Sequence, residues 1–175
     1  PIYPHGGLAV LRGNLAPDGA IIKQSAAHPD LLVHKSRAVV FDGMADLANR
    51  IDNENEDFRK DDILVLRNIG PKGAPGMPEA GLIPIPKKLA RAGVKDMVRI
   101  SDGRMSGTAA GTIILHVAPE AAIGGPLNLV KTGDIISLDV PARTLSLLVD
   151  DTELEARRQA AGPLKQTPSR GYAQL

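Results

Sequence analysis

A chain of 175 residues with 21 lysines and arginines against 20 aspartates and glutamates, net charge +1, fits one domain with one core. Signs this well mixed leave no basic face for counterion release, and four aromatics (Tyr3, Phe41, Phe58 and Tyr172) make no stacking platform, so nucleic acid is excluded and the core must be aliphatic. Cysteine is absent, which excludes disulfides, thiolate catalysis and a cysteine-held cluster within the chain, and no apolar run approaches the ~18 to 20 residues that span a bilayer.

The chain opens at Pro1 without a methionine or a basic, apolar leader, so a cytoplasmic fragment of a longer protein is expected. "GLAVLRG" and "AIIK" read as strands of a hairpin around "LAPDG", with Pro17 and Gly19 in the turn. "RAVVF" is a β-branched strand. After Asp42, residues Met44, Leu47, Ala48 and Ile51 follow the spacing of one helical face. "DNENEDFRKDD" reads as a solvated loop and Ile63 to Arg67 as a strand, whereas "NIGPKGAPGMPEAG" breaks every period and must be irregular. "GVKDMVRI" and "TIILHV" read as strands, and "DIISLDV" and "TLSLLV" as a hairpin around "PAR". In "DTELEARRQA", Thr152 and Glu155 have the spacing of a capping box that starts a helix, and the tail "GPLKQTPSRGYAQL" has the composition of a terminal arm.

The two glycine-rich loops are where chemistry is expected, because each follows a predicted strand and offers backbone amides that can cradle an anion. In the first, Glu79 is the only carboxylate, a hard-oxygen ligand suited to Mg2+ or a solvent-facing glutamate beside a turn. In the second, "SDGRMSGTAAG", Ser106 and Thr108 flank Gly107, an arrangement open both to a small ligand and to an ordinary Ser/Thr turn. Asp102 and Arg104 are expected to pair and fix that loop, and His116 to be a core histidine of the following strand. His5, His28 and His34 show no zinc spacing. Spacing alone yields a small-anion site and no reaction.

The strings "GNLAPDGAIIK", "GPKGAPGMPE", "SDGRMSGT", "HVAPEAAIGGPLNLVKTGD" and "LLVDDTELEARR" carry more. In order and spacing, over nearly the whole chain, they resemble the C-terminal part of the dihydroxy-acid and sugar-acid dehydratase family. That resemblance implies a mainly β domain with peripheral helices, a swivelling β-barrel similar to the aconitase C-terminal domain and the isopropylmalate isomerase small subunit. It would occupy residues 1–162, with 163–175 as the arm. It also implies a hydro-lyase that converts a 2,3-dihydroxy carboxylic acid into a 2-keto acid, using Mg2+ and an iron-sulfur cluster whose cysteines belong to a larger N-terminal domain. By motif, Glu79 matches the family's C-terminal magnesium ligand, Ser106 its proposed proton acceptor, and Thr108 a position that assists Ser106 or contacts substrate.

The methionine before Ser106, where branched-chain members usually have phenylalanine, makes the loop look more like the arabinonate and xylonate dehydratases. A dihydroxy acid of branched-chain amino-acid synthesis is the close alternative and 6-phosphogluconate the third. Expected partners are the small-molecule acid, the missing N-terminal domain and further copies in a homo-oligomer. The chain by itself is expected to be inactive and to hold no cluster. A separate, noncatalytic swivelling subunit is the reading from another class, distinguished by whether the reading frame continues upstream of Pro1.

Overall fold

The computed structural model describes residues 6–77, 79, 83–106, 110–162 and 171. The expected arm therefore lies, apart from Gly171, outside the described residues. Eight strands close into a barrel: β1 (Ala9–Gly13), β2 (Ala16–Ile22), β3 (Val33–Asp42), β4 (Ile63–Arg67), β5 (Arg99–Ser101), β6 (Ile113–Ala118), β7 (Ile135–Asp139) and β8 (Thr144–Leu147), in the spatial order β1-β2-β6-β5-β4-β3-β7-β8. Strands β3, β4, β5 and β6 run parallel; β2 and β7 flank them antiparallel, and β1 and β8 meet in parallel to close the ring. Three helices sit outside it among the described residues: α1 (Gly43–Arg50), α2 (Lys87–Arg91) and α3 (Asp151–Ala160). The mainly β expectation is met. No helix among the described residues is long and apolar enough to cross a membrane.

The parallel strands are covered on both faces, so their side chains divide between two cores. Ala38 and Val40 of β3, Ile63 and Val65 of β4, and Ile100 and Ile114 fill the barrel together with Leu11, Ile22, Leu127, Ile136, Leu138 and Leu145. The alternate residues Val39, Phe41, Leu64 and Leu66 face outward onto Leu47 and Ile51 of the α1 region, Phe58, Ile83 and Met97. Of the predicted helical face, Leu47 and Ile51 are buried while Met44, 43% exposed, and Ala48 face solvent.

The structure corrects several local expectations. Pro17 and Gly19 do not make the hairpin turn, which is the pair Asn14–Leu15; they lie in β2, where the register with β1 shifts as a bulge between Gly13↔Ala16 and Leu11↔Ala20. The turn chemistry is the same, a fixed φ and a permissive one, spent on a bulge. In the charged run 52–62, Phe58 and Asp62 are buried: Phe58 stacks its ring 6.1 Å from Phe41, and Asp62 takes a two-bonded fork from Arg37 at 2.7 and 2.9 Å. That fork holds the Arg37 guanidinium above its ordinary pKa. The strand in "GVKDMVRI" shrinks to Arg99–Ser101. Helix α3 is capped by Asp150, whose carboxylate accepts from Glu153 N at 2.9 Å, so Thr152 lies inside the helix and the capping pair is two residues earlier than expected. Arg157 then fastens α3 to the barrel through Asp134, at 2.5 and 3.0 Å, and pairs within the helix with Glu153 at 2.7 Å; these bonds raise the Arg157 pKa, and the latter lowers that of Glu153.

Candidate functional site

Four parallel strands end at one rim, and the segments that leave β4, β5 and β6 there carry the candidate residues. Ligands of parallel sheets bind beyond the carboxyl ends of the strands, where loops can be varied without disturbing the core. The β4 loop begins at Asn68 and the β5 loop at Asp102. They run in the same direction and meet in a single parallel bridge between Glu79 and Arg104. Arg104 strengthens the meeting: its Nε donates to Met77 O at 2.8 Å and its Nη1 lies 4.0 Å from Glu79 Oε2. Both side chains are 44% exposed, so the carboxylate faces solvent with a cation beside it. Ser106 is exposed two residues beyond Arg104. The fold thus brings Glu79 to the serine loop, which sequence spacing alone could not do. Thr108 lies outside the described residues.

Asp102 and Arg104 do not pair, contrary to expectation. Asp102 is 2% exposed and turns inward, where Oδ1 accepts from Ile69 N at 3.0 Å and Oδ2 from Asn68 N at 3.1 Å and Ala121 N at 2.9 Å. Glu120, 8% exposed, lies in the segment after β6 and accepts from Lys72 N at 2.9 and 3.1 Å and from Gly73 N at 3.2 Å. The N–H groups of Asn68, Ile69, Lys72 and Gly73 in the first glycine-rich loop are therefore occupied by the protein's own carboxylates rather than open to an incoming anion. Asn68, at φ 64°, turns consecutive N–H groups toward one acceptor in the manner of a nest. Gly70 is required because a Cβ there would stand 2.2 Å from Glu120 Oε2. Sequence reasoning passed over Glu120 because acidic residues default to the surface. The signal that could have found it is that Asp102 and Glu120 both sit just past strands whose loops run together.

His116 is exposed, not a core residue. Between Ile21↔Leu115 and Gly19↔Ala118 strand β6 carries one residue more than β2, and His116 takes up the excess at φ 53°. The bulge turns its ring out of the alternation and points its backbone N–H to Gly103 O at 3.1 Å, tying the β5 loop at the residue before Arg104. At its other end the same loop is held by Asp96. That carboxylate accepts from Thr112 N and Oγ1, each at 2.8 Å, from Met97 N at 2.9 Å and from Arg99 Nη2 at 2.7 Å. Arg99 is 3% exposed; burial pushes its pKa down, with Asp96 opposing.

Among the described residues no group of three or more His, Cys, Asp or Glu side chains could hold a metal ion. Glu79 fits the supply of one oxygen ligand, with the rest of any metal shell coming from outside these residues. No residue type in the chain can hold an iron-sulfur cluster through thiolates, since cysteine is absent. A groove of about 700 Å3, lined by Asp42, Arg50, Arg67, Lys131 and Arg157 among others, contains none of Glu79, Arg104 or Ser106. Its arginines Arg50 and Arg157 are already matched by Glu56 and Asp134.

The chain is 55% identical over 170 residues to the L-arabinonate dehydratase of Rhizobium leguminosarum bv. trifolii, an alignment covering 97% of the chain and 29% of that protein. It is 56% identical over 168 residues to the 6-deoxy-6-sulfo-D-gluconate dehydratase of Pseudomonas putida, covering 96% of the chain and 29% of the relative. To the dihydroxy-acid dehydratase of Methanothrix thermoacetophila it is 46% identical over 164 residues, 93% of the chain and 29% of the relative. The chain thus spans about three tenths of the length of these curated relatives. Residues 1–175 match the family described as "Dihydroxy-acid/6-phosphogluconate dehydratase C-terminal", and with these identities the chain belongs to that family.

Proposed function

We infer that the chain is the C-terminal domain of a hydro-lyase that removes water from a 2,3-dihydroxy carboxylic acid. The C2 proton and the C3 hydroxyl leave, and the enol tautomerises to a 2-keto acid. The observation that carries this reading is the bridge between Glu79 and Arg104, which joins the two motif loops beside Ser106. In the reaction Ser106 Oγ accepts the C2 proton. A serine hydroxyl is a poor base in water and needs positive charge nearby to hold its alkoxide. Thr108 orients Ser106 or the substrate. Glu79 would hold Mg2+, which would supply positive charge toward the substrate carboxylate. An iron-sulfur cluster would have to be held by the remainder of the protein. The barrel is of the swivelling kind related to the aconitase C-terminal domain, a reading that its eight-stranded closure supports.

The higher identity to the two sugar-acid dehydratases than to the dihydroxy-acid dehydratase favours a sugar acid as substrate. The test is turnover by the full-length protein of L-arabinonate, D-xylonate, 6-phosphogluconate and 2,3-dihydroxy-3-methylbutanoate, read as 2-keto acid formed. Highest kcat/KM on an aldonate is expected. Preference for the branched-chain acid would reassign the substrate, and turnover of none would sink the hydro-lyase reading.

In the same protein Glu79→Gln keeps the side chain's shape and removes the ligand charge, so half-saturating Mg2+ is expected to rise at least tenfold, about what losing one hard anionic ligand costs. A magnesium titration of initial rate measures it. Unchanged metal dependence would return Glu79 to the role of partner to Arg104.

A further inference from the structure

The first part of the glycine-rich loop after β4, residues 68–73, is held by two carboxylates that the chemistry above does not use. Asp102 and Glu120 come from the segments after β5 and β6, and both reach back to the β4 loop. Between them they take the N–H groups of Asn68, Ile69, Lys72 and Gly73, and Asp102 also takes that of Ala121. No cation is paired with either carboxylate among the described residues, although both are buried. A buried carboxylate answered only by backbone amides is costly to desolvate, and the loop amides compensate it only in this one conformation. Fit is tight from the loop's side as well: a Cβ at Gly73 would come within 2.7 Å of Asn68 backbone carbon, and one at Gly103 within 2.8 Å of Ile69 Cγ2. The carboxylates thus hold the loop over 68–73; beyond them Ala74 N donates to Gly70 O and Met77 N to Ala74 O, and Met77 O accepts from Arg104, the residue that bridges to Glu79.

We propose that Asp102 and Glu120 are positioning residues, which fix the 68–79 loop so that Glu79 is presented to the Ser106 loop. The inference rests on the dehydratase reading for its effect on turnover, but its effect on the loop backbone is independent of that reading. Neither residue touches Glu79 in the described contacts; each acts through the backbone it holds.

The experiment uses the full-length protein carrying Glu120→Gln, with Asp102→Asn and Gly70→Ala as parallel variants in case the first fails to fold. Gln at 120 keeps the volume but turns an amide donor toward the donors of Lys72 and Gly73. Gly70→Ala displaces Glu120 from the other side. In hydrogen exchange read by mass spectrometry, peptides covering 68–77 are expected to lose protection at least tenfold while β3, β4 and β6 keep theirs. In kinetics kcat is expected to fall by about 10- to 100-fold, the range seen when a residue that orients a ligand group is lost. Half-saturating Mg2+ should rise with it. A residue with only a structural role would instead lower protection across the whole barrel and leave kcat per folded molecule within twofold of the parent. That outcome overturns the proposal, and so does unchanged exchange at 68–77. Glu79→Gln measured alongside separates the two readings: if it leaves magnesium dependence untouched while Glu120→Gln still frees the loop and lowers kcat, the metal assignment fails and the positioning role stands.

Discussion

In the full-length protein Ser106→Ala is expected to cut turnover by at least ~100-fold, the usual loss with a general base, while substrate binding persists. Thr108→Val should cost less, because it removes an orienting hydroxyl and leaves the acceptor in place. Exchange of the substrate C2 hydrogen with deuterated solvent reads proton removal apart from water loss. Where the parent protein shows such exchange, Ser106→Ala should lose it and Thr108→Val retain it. Exchange that survives in Ser106→Ala and vanishes in Thr108→Val would reverse the two roles. The role of Ser106 gains from its neighbours: Arg104 is anchored by Met77 and Glu79, and Gly103 by His116, so the serine comes after a stretch pinned on two sides.

The largest stability effect is expected at Asp96. Its carboxylate answers Arg99, Met97 and Thr112 at once, and the Arg99 side chain is only 4% exposed. Asp96→Ala leaves a buried guanidinium with the carbonyls of Ile83 and Met97 alone, a loss of about 3–5 kcal/mol by the precedent of broken buried pairs. Against a total of about 5–15 kcal/mol for a domain, that is a large fraction. Urea unfolding of the 175-residue chain followed by circular dichroism measures it. The double variant Asp96→Ala, Arg99→Met should recover much of the loss, because it removes the stranded charge with its partner. A single-variant cost below about 0.5 kcal/mol, the size of an ordinary surface change, would show that the pair contributes nothing.

How much of the molecule was legible in the sequence depends on whether the cause was local. Strand β4, the α1 helix and the β7–β8 hairpin were readable because alternation, helical spacing and turn residues are short-range signals. The strand in "GVKDMVRI" was overread, since an apolar, β-branched run does not say how much of it finds a ladder partner. His116 defeated alternation because a bulge inserts one residue and flips the face of the residues beyond it. The site was half legible. Glu79 and Ser106 could be named from the family likeness, but not the bridge that joins Glu79 to Arg104 of the serine's loop. The partners of Asp102 and Glu120 were illegible for the same reason: they stand 33 to 34 and 47 to 48 residues away along the β4 loop, with no periodicity to join them.

The barrel closes where β1 lies beside β8, a seam with Arg12 opposite Thr144 and with Asn14 serving as a surrogate strand residue. Asn14 donates to Leu147 O at 2.8 Å and accepts from Leu147 N at 2.7 Å, across 133 residues of chain. Bringing ends so far apart together costs about 4 kcal/mol of loop-closure entropy before any contact offsets it. The parallel strands β3 to β6 close shorter loops, with Ala38 opposite Ile63, Leu64 opposite Arg99 and Arg99 opposite Ile113, and so pair at a lower cost. A cut in the β7–β8 turn would leave the β4 and β5 loops in place and yet open the cylinder, whereas a cut within 68–73 would spare the cylinder and release Glu79. The wall and the rim of this barrel are thus tied by separate contacts, the wall at the β1–β8 seam and the rim through the amides of the β4 loop.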